Sequence, residues 1–175
     1  MIALEPYSDE WPIQFGVFAA EVYSALGPAV TAIEHIGSTA VPGLVAKPTI
    51  DLAARAAPGV DPFELGSRLG DVGYFRHRRG PKNHGVYVKT ADGRRLCIVH
   101  AFAADAWERC NQRAFGDKLL RDSAARTRYA TLKLRAASER SDGAEYTQDK
   151  SALIQELLDE ELAERGWPPS IAWDK

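Results

Sequence analysis

Gly37, Ser38 and Thr39 follow one short apolar run, and Asp51 stands inside the next, between Ile50 and Leu52. A glycine-serine turn after a strand brings backbone N–H groups and a hydroxyl close to an anion, an approach that a larger side chain would block. Strand alternation sends Asp51 to the face opposite Ile50 and Leu52. A carboxylate there is either paired, or it faces a cleft and holds a metal. A phosphate-cradling loop beside a metal-holding acid is what metal-dependent phosphoryl transfer requires. Taken alone, these residues favour a plainer account. Gly-Ser pairs are common turn formers, and a single buried aspartate often only caps a loop.

Other residues extend the pattern. Lys47 precedes Pro48, which biases it toward an extended backbone leading to Asp51. It can neutralise phosphate or pair with the acid; the alternative is a solvated surface lysine. His35, at the end of the first apolar run, suits an acid/base group, a metal ligand or a hydrogen-bonded core histidine. Tyr129 and Lys133 stand four apart, as do Tyr146 and Lys150. On a helix each pair shares one face, and with Arg121 the lysines can form a basic wall for a triphosphate. The alternative is packed tyrosines with surface lysines. The segment "RHRRGPKNH", with His77 and His84, is preferred as a solvated basic loop, and no aromatic interleaving marks it as a nucleic-acid platform.

Positioning these groups falls to the elements around them. Ser8 or Asp9 caps a first helix whose buried face is Trp11, Phe15, Phe18, Val22 and Leu26, ended by Gly27-Pro28. Strands are expected near 30–36, 49–53, 86–89 and 95–102, the last two joined as a hairpin through Asp92-Gly93. Asp61-Pro62-Phe63-Glu64 reads as the start of another helix, running through Leu65, Leu69 and Val72 to Gly73. After Ala104 the pattern is helical. Thr147 is expected to cap a last helix carrying Leu153, Ile154, Leu157, Leu158 and Leu162, closed by Gly166 and Pro168.

With 175 residues, 45% hydrophobic and 26% charged, the chain is expected to be one globular domain spanning 1–175. A net charge of −2 argues against a general nucleic-acid binder. Cys97 and Cys110 lack metal or redox spacing and are expected as reduced core thiols. No basic, apolar leader opens the sequence, and no apolar run approaches the ~20 residues of a membrane span. The expectation is a cytoplasmic protein without membrane partners.

The string "EHIGSTAVPGLVAKPTID" resembles the signature of the GrpB family, within the nucleotidyltransferase (polymerase-β-like) superfamily. "WPIQF", "VHAF", "AFGDKLLRD", "RYATLKL" and "EYTQDKSALI" extend the resemblance over almost the whole chain. It implies an α/β (α+β) fold, a nucleotidyltransferase-type mixed sheet flanked by helices, with a helical C-terminal half. It also implies that Gly37, Ser38 and Thr39 contact nucleotide phosphates and that Asp51 is the first acid of a metal-binding pair. The second acid would fall at Ala53, and the superfamily's third acid corresponds to His100. Asp51 and His100 then hold one divalent ion (Mg²⁺, Mn²⁺ or Zn²⁺), the histidine favouring Zn²⁺ or Mn²⁺. Ser38 and His35 join Asp51 as expected catalytic groups. Lys47, Arg121, Tyr129, Lys133, Tyr146 and Lys150 become phosphate contacts, although Gly116 replaces one family arginine.

The resulting expectation is metal-dependent transfer of a nucleotidyl or phosphoryl group from a nucleoside triphosphate to a small acceptor. The alternative is a non-catalytic nucleotide or phosphometabolite binder with a degenerate metal site. His100 and Asp51 should face one cleft, and Lys133 and Lys150 should converge on it.

Overall fold

A computed structural model describes residues 3–78, 80–139 and 143–172, without the side chains of 143–147 and 149. Five strands form one mixed sheet in the order β1-β2-β5-β4-β3. These are β1 (Val30–Ile36), β2 (Ile50–Ala56), β3 (Tyr74–Arg76), β4 (Gly85–Ala91) and β5 (Arg94–Phe102). β2 and β5 run parallel, and the other neighbouring pairs are antiparallel. The helices are α1 (Glu10–Leu26), α2 (Gly66–Gly70), α3 (Asn111–Arg121), α4 (Ser123–Glu139) and α5 (Gly143–Glu164).

Alternation divides the sheet into two apolar faces. One face carries Leu52, Ala54, Tyr87, Cys97, Val99 and Ala101, packed on Val22 and Leu26 of α1. The other carries Ile36, Ala53 and Phe102 under Trp107 and Cys110, in the segment leading to α3. A third cluster joins Val41 and Leu44 of the β1–β2 connection to Leu119, Tyr129, Ile154 and Leu157 of the helical layer. The helices thus hold that connection against the sheet.

The expected strands coincide closely with β1, β2, β4 and β5, and Asp92 and Gly93, both at positive φ, turn the hairpin. Asp9 is the N-cap of α1 without a side-chain capping bond, and Ser8 Oγ, one residue earlier, accepts from Glu10 N–H at 3.2 Å. Three expectations need correction. The helix predicted from Asp61 begins only at Gly66, because the Tyr87 hydroxyl takes both of its starting groups. That hydroxyl donates to Pro62 O (2.8 Å) and accepts from Leu65 N–H (3.1 Å). Arg76, the first residue of the supposed loop, is the last residue of an unexpected strand, β3. Thr147 lies inside α5 instead of capping it.

The C-terminus of α5 does end at Gly166, whose φ is +65°, with Trp167 N–H bonded back to Leu162 O at 2.8 Å. Cys97 and Cys110 are buried thiols, unpaired with each other. Among the described residues, no helix is long and apolar enough to cross a membrane.

Candidate phosphate and metal site

Ile36 pairs with Asp51 across β1 and β2, so Gly37 emerges from the sheet directly beside the carboxylate. A Cβ on Gly37 would fall 2.6 Å from Asp51 Oδ2, and φ there is +75°. Glycine is therefore demanded twice, by the left-handed backbone and by the carboxylate against it. Ser38 opens a single 3₁₀ turn over Ser38–Ala40 immediately after this contact.

β2 and β5 set Ala53 beside His100 and Asp51 beside Ile98, on the same face. Asp51 and His100 are diagonal neighbours there, with His100 Nε2 3.5 Å from Asp51 Oδ1. Donors bound to a tetrahedral ion at about 2.0–2.2 Å lie roughly 3.4 Å apart, so the pair fits two corners of one ion's coordination shell. Among the described residues no third His, Cys, Asp or Glu completes a ligand cluster, which leaves the remaining positions to water or substrate oxygens. Ala53 is fully buried in the cluster with Ile36, Phe102 and Trp107. That position is closed as well as uncharged, and a second metal-holding acid has no room there.

His100 is braced from behind. Its Nδ1 lies 3.0 Å from His84 Nε2, and His84 Nδ1 lies 2.7 Å from Asn83 Oδ1. His84 is buried, stacks on Phe102 with centroids 4.5 Å apart, and is held neutral, its pKa pushed down to about 3 by burial and then by His100. The solvated-loop expectation is wrong for this residue, which belongs to the site.

Lys133 and Lys150 both feel the Asp51 carboxylate, and Lys47 acts on the two of them. Lys133 of α4 is buried (2% exposed) and donates to Val45 O, pinning the β1–β2 connection. Burial pushes its pKa down to about 7, Lys150 and Lys47 add to the depression, and Asp51 opposes it. Lys150 of α5 is pushed down to about 8 by burial and then by Lys47, again against Asp51. Lys47, half-buried in the connection, is also lowered, by burial and then by Arg95. Groups separated by a hundred residues of sequence thus act electrostatically on one another and on one carboxylate.

Not every expected residue joins them. His35 points to the opposite face, paired with Leu52 in register and stacked on Phe15 of α1 at 4.8 Å. Its Nε2–H donates to Thr39 Oγ1 (3.0 Å), whose own proton goes to Thr49 O (3.4 Å). Burial pushes the His35 pKa down to about 4, so it is a neutral core histidine. Thr39 is buried and spent on that bracing. Arg121 is bound by Glu161 (2.5 Å) and Glu164 (3.0 Å) between α3 and α5. Tyr129 packs edge-on against Phe115 within the helical layer, its ring 5.3 Å from Lys133 Nζ, so it supports that lysine from below. The side chain of Tyr146 lies outside the described residues.

A chain of this architecture, with a glycine turn, one Asp–His pair and converging lysines, matches a known family. The model of the GrpB protein family matches residues 1–160, and the chain belongs to that family. A UPF0157 protein of Halalkalibacterium halodurans is 32% identical over 160 residues, covering 90% of this chain and 80% of the relative. The glutamate-rich protein GrpB of Alkalihalophilus pseudofirmus is 27% identical over 168 residues, covering 91% and 95%. The crystal structure of the conserved protein GrpB from Enterococcus faecalis superposes with a TM-score of 0.81 at 28% identity, covering 94% of this chain and 99% of that one.

Proposed function

We propose that this GrpB chain binds a nucleoside triphosphate between Asp51–His100 and the lysines Lys47, Lys133 and Lys150, and transfers a nucleotidyl or phosphoryl group to a small acceptor. The supporting observation is electrostatic. Lys133 and Lys150, both drawn down toward neutral pH, share the field of one aspartate and are further lowered by Lys47. Holding like charges together in a buried space is unfavourable, and a polyphosphate entering it relieves the repulsion. Asp51 and His100 would hold one divalent ion, which supplies charge neutralisation at the phosphates. Gly37 and Ser38 offer the turn beside it, and the lysines orient the outer phosphates.

A second reading has its own support. Ala53 lies within an apolar cluster, so a two-metal clamp has no place to form. A nucleotide or phosphometabolite binder without transfer activity needs only the lysines and the turn.

Calorimetry with the four ribonucleoside triphosphates, each with Mg²⁺, Mn²⁺ or Zn²⁺, tests binding; mass spectrometry of the mixtures with candidate acceptors tests transfer. Lys133→Met and Lys150→Met should each weaken binding by about 1–3 kcal/mol. Binding should also take up protons between pH 7 and 8, because an anion raises the depressed lysine pKa values. Affinity then falls as pH rises through that range. Absence of binding to every nucleotide rules out the first reading and reduces the second to a phosphometabolite binder, while binding without turnover selects the second.

A further inference from the structure

We propose that Asn83 and His84 are a positioning pair that fixes His100 as its Nδ1–H tautomer and so presents the bare Nε2 to the Asp51 carboxylate. This deepens the metal site of the proposed function but does not depend on nucleotide binding.

The inference follows from donor accounting along three contacts. Asn83 Oδ1 lies 2.7 Å from His84 Nδ1, and an amide oxygen only accepts, so the proton of that bond sits on His84 Nδ1. The buried, neutral His84 ring then carries a lone pair on Nε2. That lone pair faces His100 Nδ1 at 3.0 Å, so His100 must be the donor there. In its uncharged form, with that proton on Nδ1, His100 carries its lone pair on Nε2, 3.5 Å from Asp51 Oδ1. A lone pair and a carboxylate oxygen facing each other make a seat for a cation, and the distance leaves room for one.

The bracing is built with care for orientation. His84 is 1% exposed and its plane is fixed by stacking on Phe102. Gly85 follows it because a Cβ there would fall 2.2 Å from Pro62 O, which holds this stretch of backbone close beneath the 61–65 turn. An apolar residue would fill the volume beside Phe102 without the desolvation of an imidazole. What the imidazole adds is an acceptor aimed at His100. Ligating histidines are ordinarily oriented in this way by a partner on the other ring nitrogen, and loss of that partner weakens metal binding 10- to 100-fold.

Long-range ¹H–¹⁵N spectra of protein labelled at histidine read the tautomer directly. With metal removed at pH 8, His100 should carry its proton on Nδ1. His84→Phe keeps the stack on Phe102 and removes the acceptor; His100 should then turn its proton to Nε2 and donate to Asp51. His84→Gln, whose amide oxygen can accept, should restore the wild-type tautomer, an effect that a merely structural role for His84 does not explain. Titration with Zn²⁺ alone should show binding weakened about 10- to 100-fold in His84→Phe and largely recovered in His84→Gln. If His84→Phe does not fold, Asn83→Leu at its exposed position breaks the same chain from the outer end. A wild-type His100 protonated on Nε2, or a tautomer indifferent to these substitutions, overturns the proposal. A wild-type protein with the expected tautomer but no affinity for Zn²⁺ leaves the positioning pair standing and removes the metal from the proposed function.

Discussion

Lys118 and Lys133 are equally buried, at 3% and 2% exposure, yet they sit in opposite electrostatic settings. Lys118 Nζ is ringed by Glu164 (2.8 Å), Asp122 (3.1 Å) and Glu160 (3.3 Å), which raise its pKa. Arg121, Arg165, Asp117 and the fully buried Glu161 extend that group into a network tying α3 to α5. Burial first, and then Lys150 and Lys47, push the Lys133 pKa down to about 7. One buried lysine has its charge matched by the fold. The other is opposed by the neighbours the fold gives it, and is eased mainly by Asp51. The contrast separates a structural lysine from a site lysine on two counts: the Lys133 ammonium is the more strongly desolvated, and its charged neighbours include two cations where those of Lys118 are acids.

Several substitutions put that contrast under strain. The largest effect is expected at the tight wall of the site, from Gly37→Ala. The added methyl meets the Asp51 carboxylate on a left-handed backbone, and urea denaturation should show a loss of about 2–4 kcal/mol. An alanine protein of unchanged stability would mean that the turn relaxes away from Asp51.

Lys118→Met should come next. It leaves three acids without their shared cation, and allowing for the solvent around those acids the cost is about 2 kcal/mol in the same assay. Equal losses from Lys118→Met and Lys133→Met would collapse the distinction drawn between them.

Smaller still is the pH response. Lys133 and Lys150 have folded pKa values below their unfolded ones, so between pH 7 and 8.5 the unfolded chain binds more protons and stability rises with pH. The rise should be about 1–2 kcal/mol and should shrink sharply in Lys133→Met. Above that window Cys97 and Cys110, pushed up to about 12 and 11, work in the other direction. The smallest effect is the stability of Lys133→Met itself at pH 7. Removing a charge that repels Lys150 and Lys47 offsets the lost hydrogen bond to Val45, and the net change should stay within about 1 kcal/mol.

Much of this was legible in the residues, for local reasons. The α1 face, the Asp92-Gly93 hairpin and the Gly37/Asp51 pairing depend on periodicity and turn chemistry within short spans. So does the closure of position 53, where the sequence already shows alanine. His84 stands in a basic run just before the strand expected at 86–89, which reads as a solvated loop, and pattern alone would not have placed it better. Continuing the hairpin in unbroken register from Ala91↔Arg94 would put Val86 opposite Val99, and His84 on the α1 face. The register shifts between Lys89 and Thr90, so Val86 pairs with His100 instead and His84 turns to the site. Nothing in the local pattern announces a bulge there.

Residue pattern was enough for the family, four of the five strands, the helical second half, and the small group from Gly37 to Asp51 that chain continuity holds together. The tertiary structure alone decided which distant charges meet. Arg121 and Lys133 look alike as basic residues on amphipathic helices, and both matched the expected wall. Packing of α3 on α5 gives Arg121 to Glu161 and Glu164, while packing of α4 against the β1–β2 connection brings Lys133 to Val45 and the Asp51 cleft. A side chain's charge is a property of its residue type. The potential it experiences is summed over neighbours that only folding supplies.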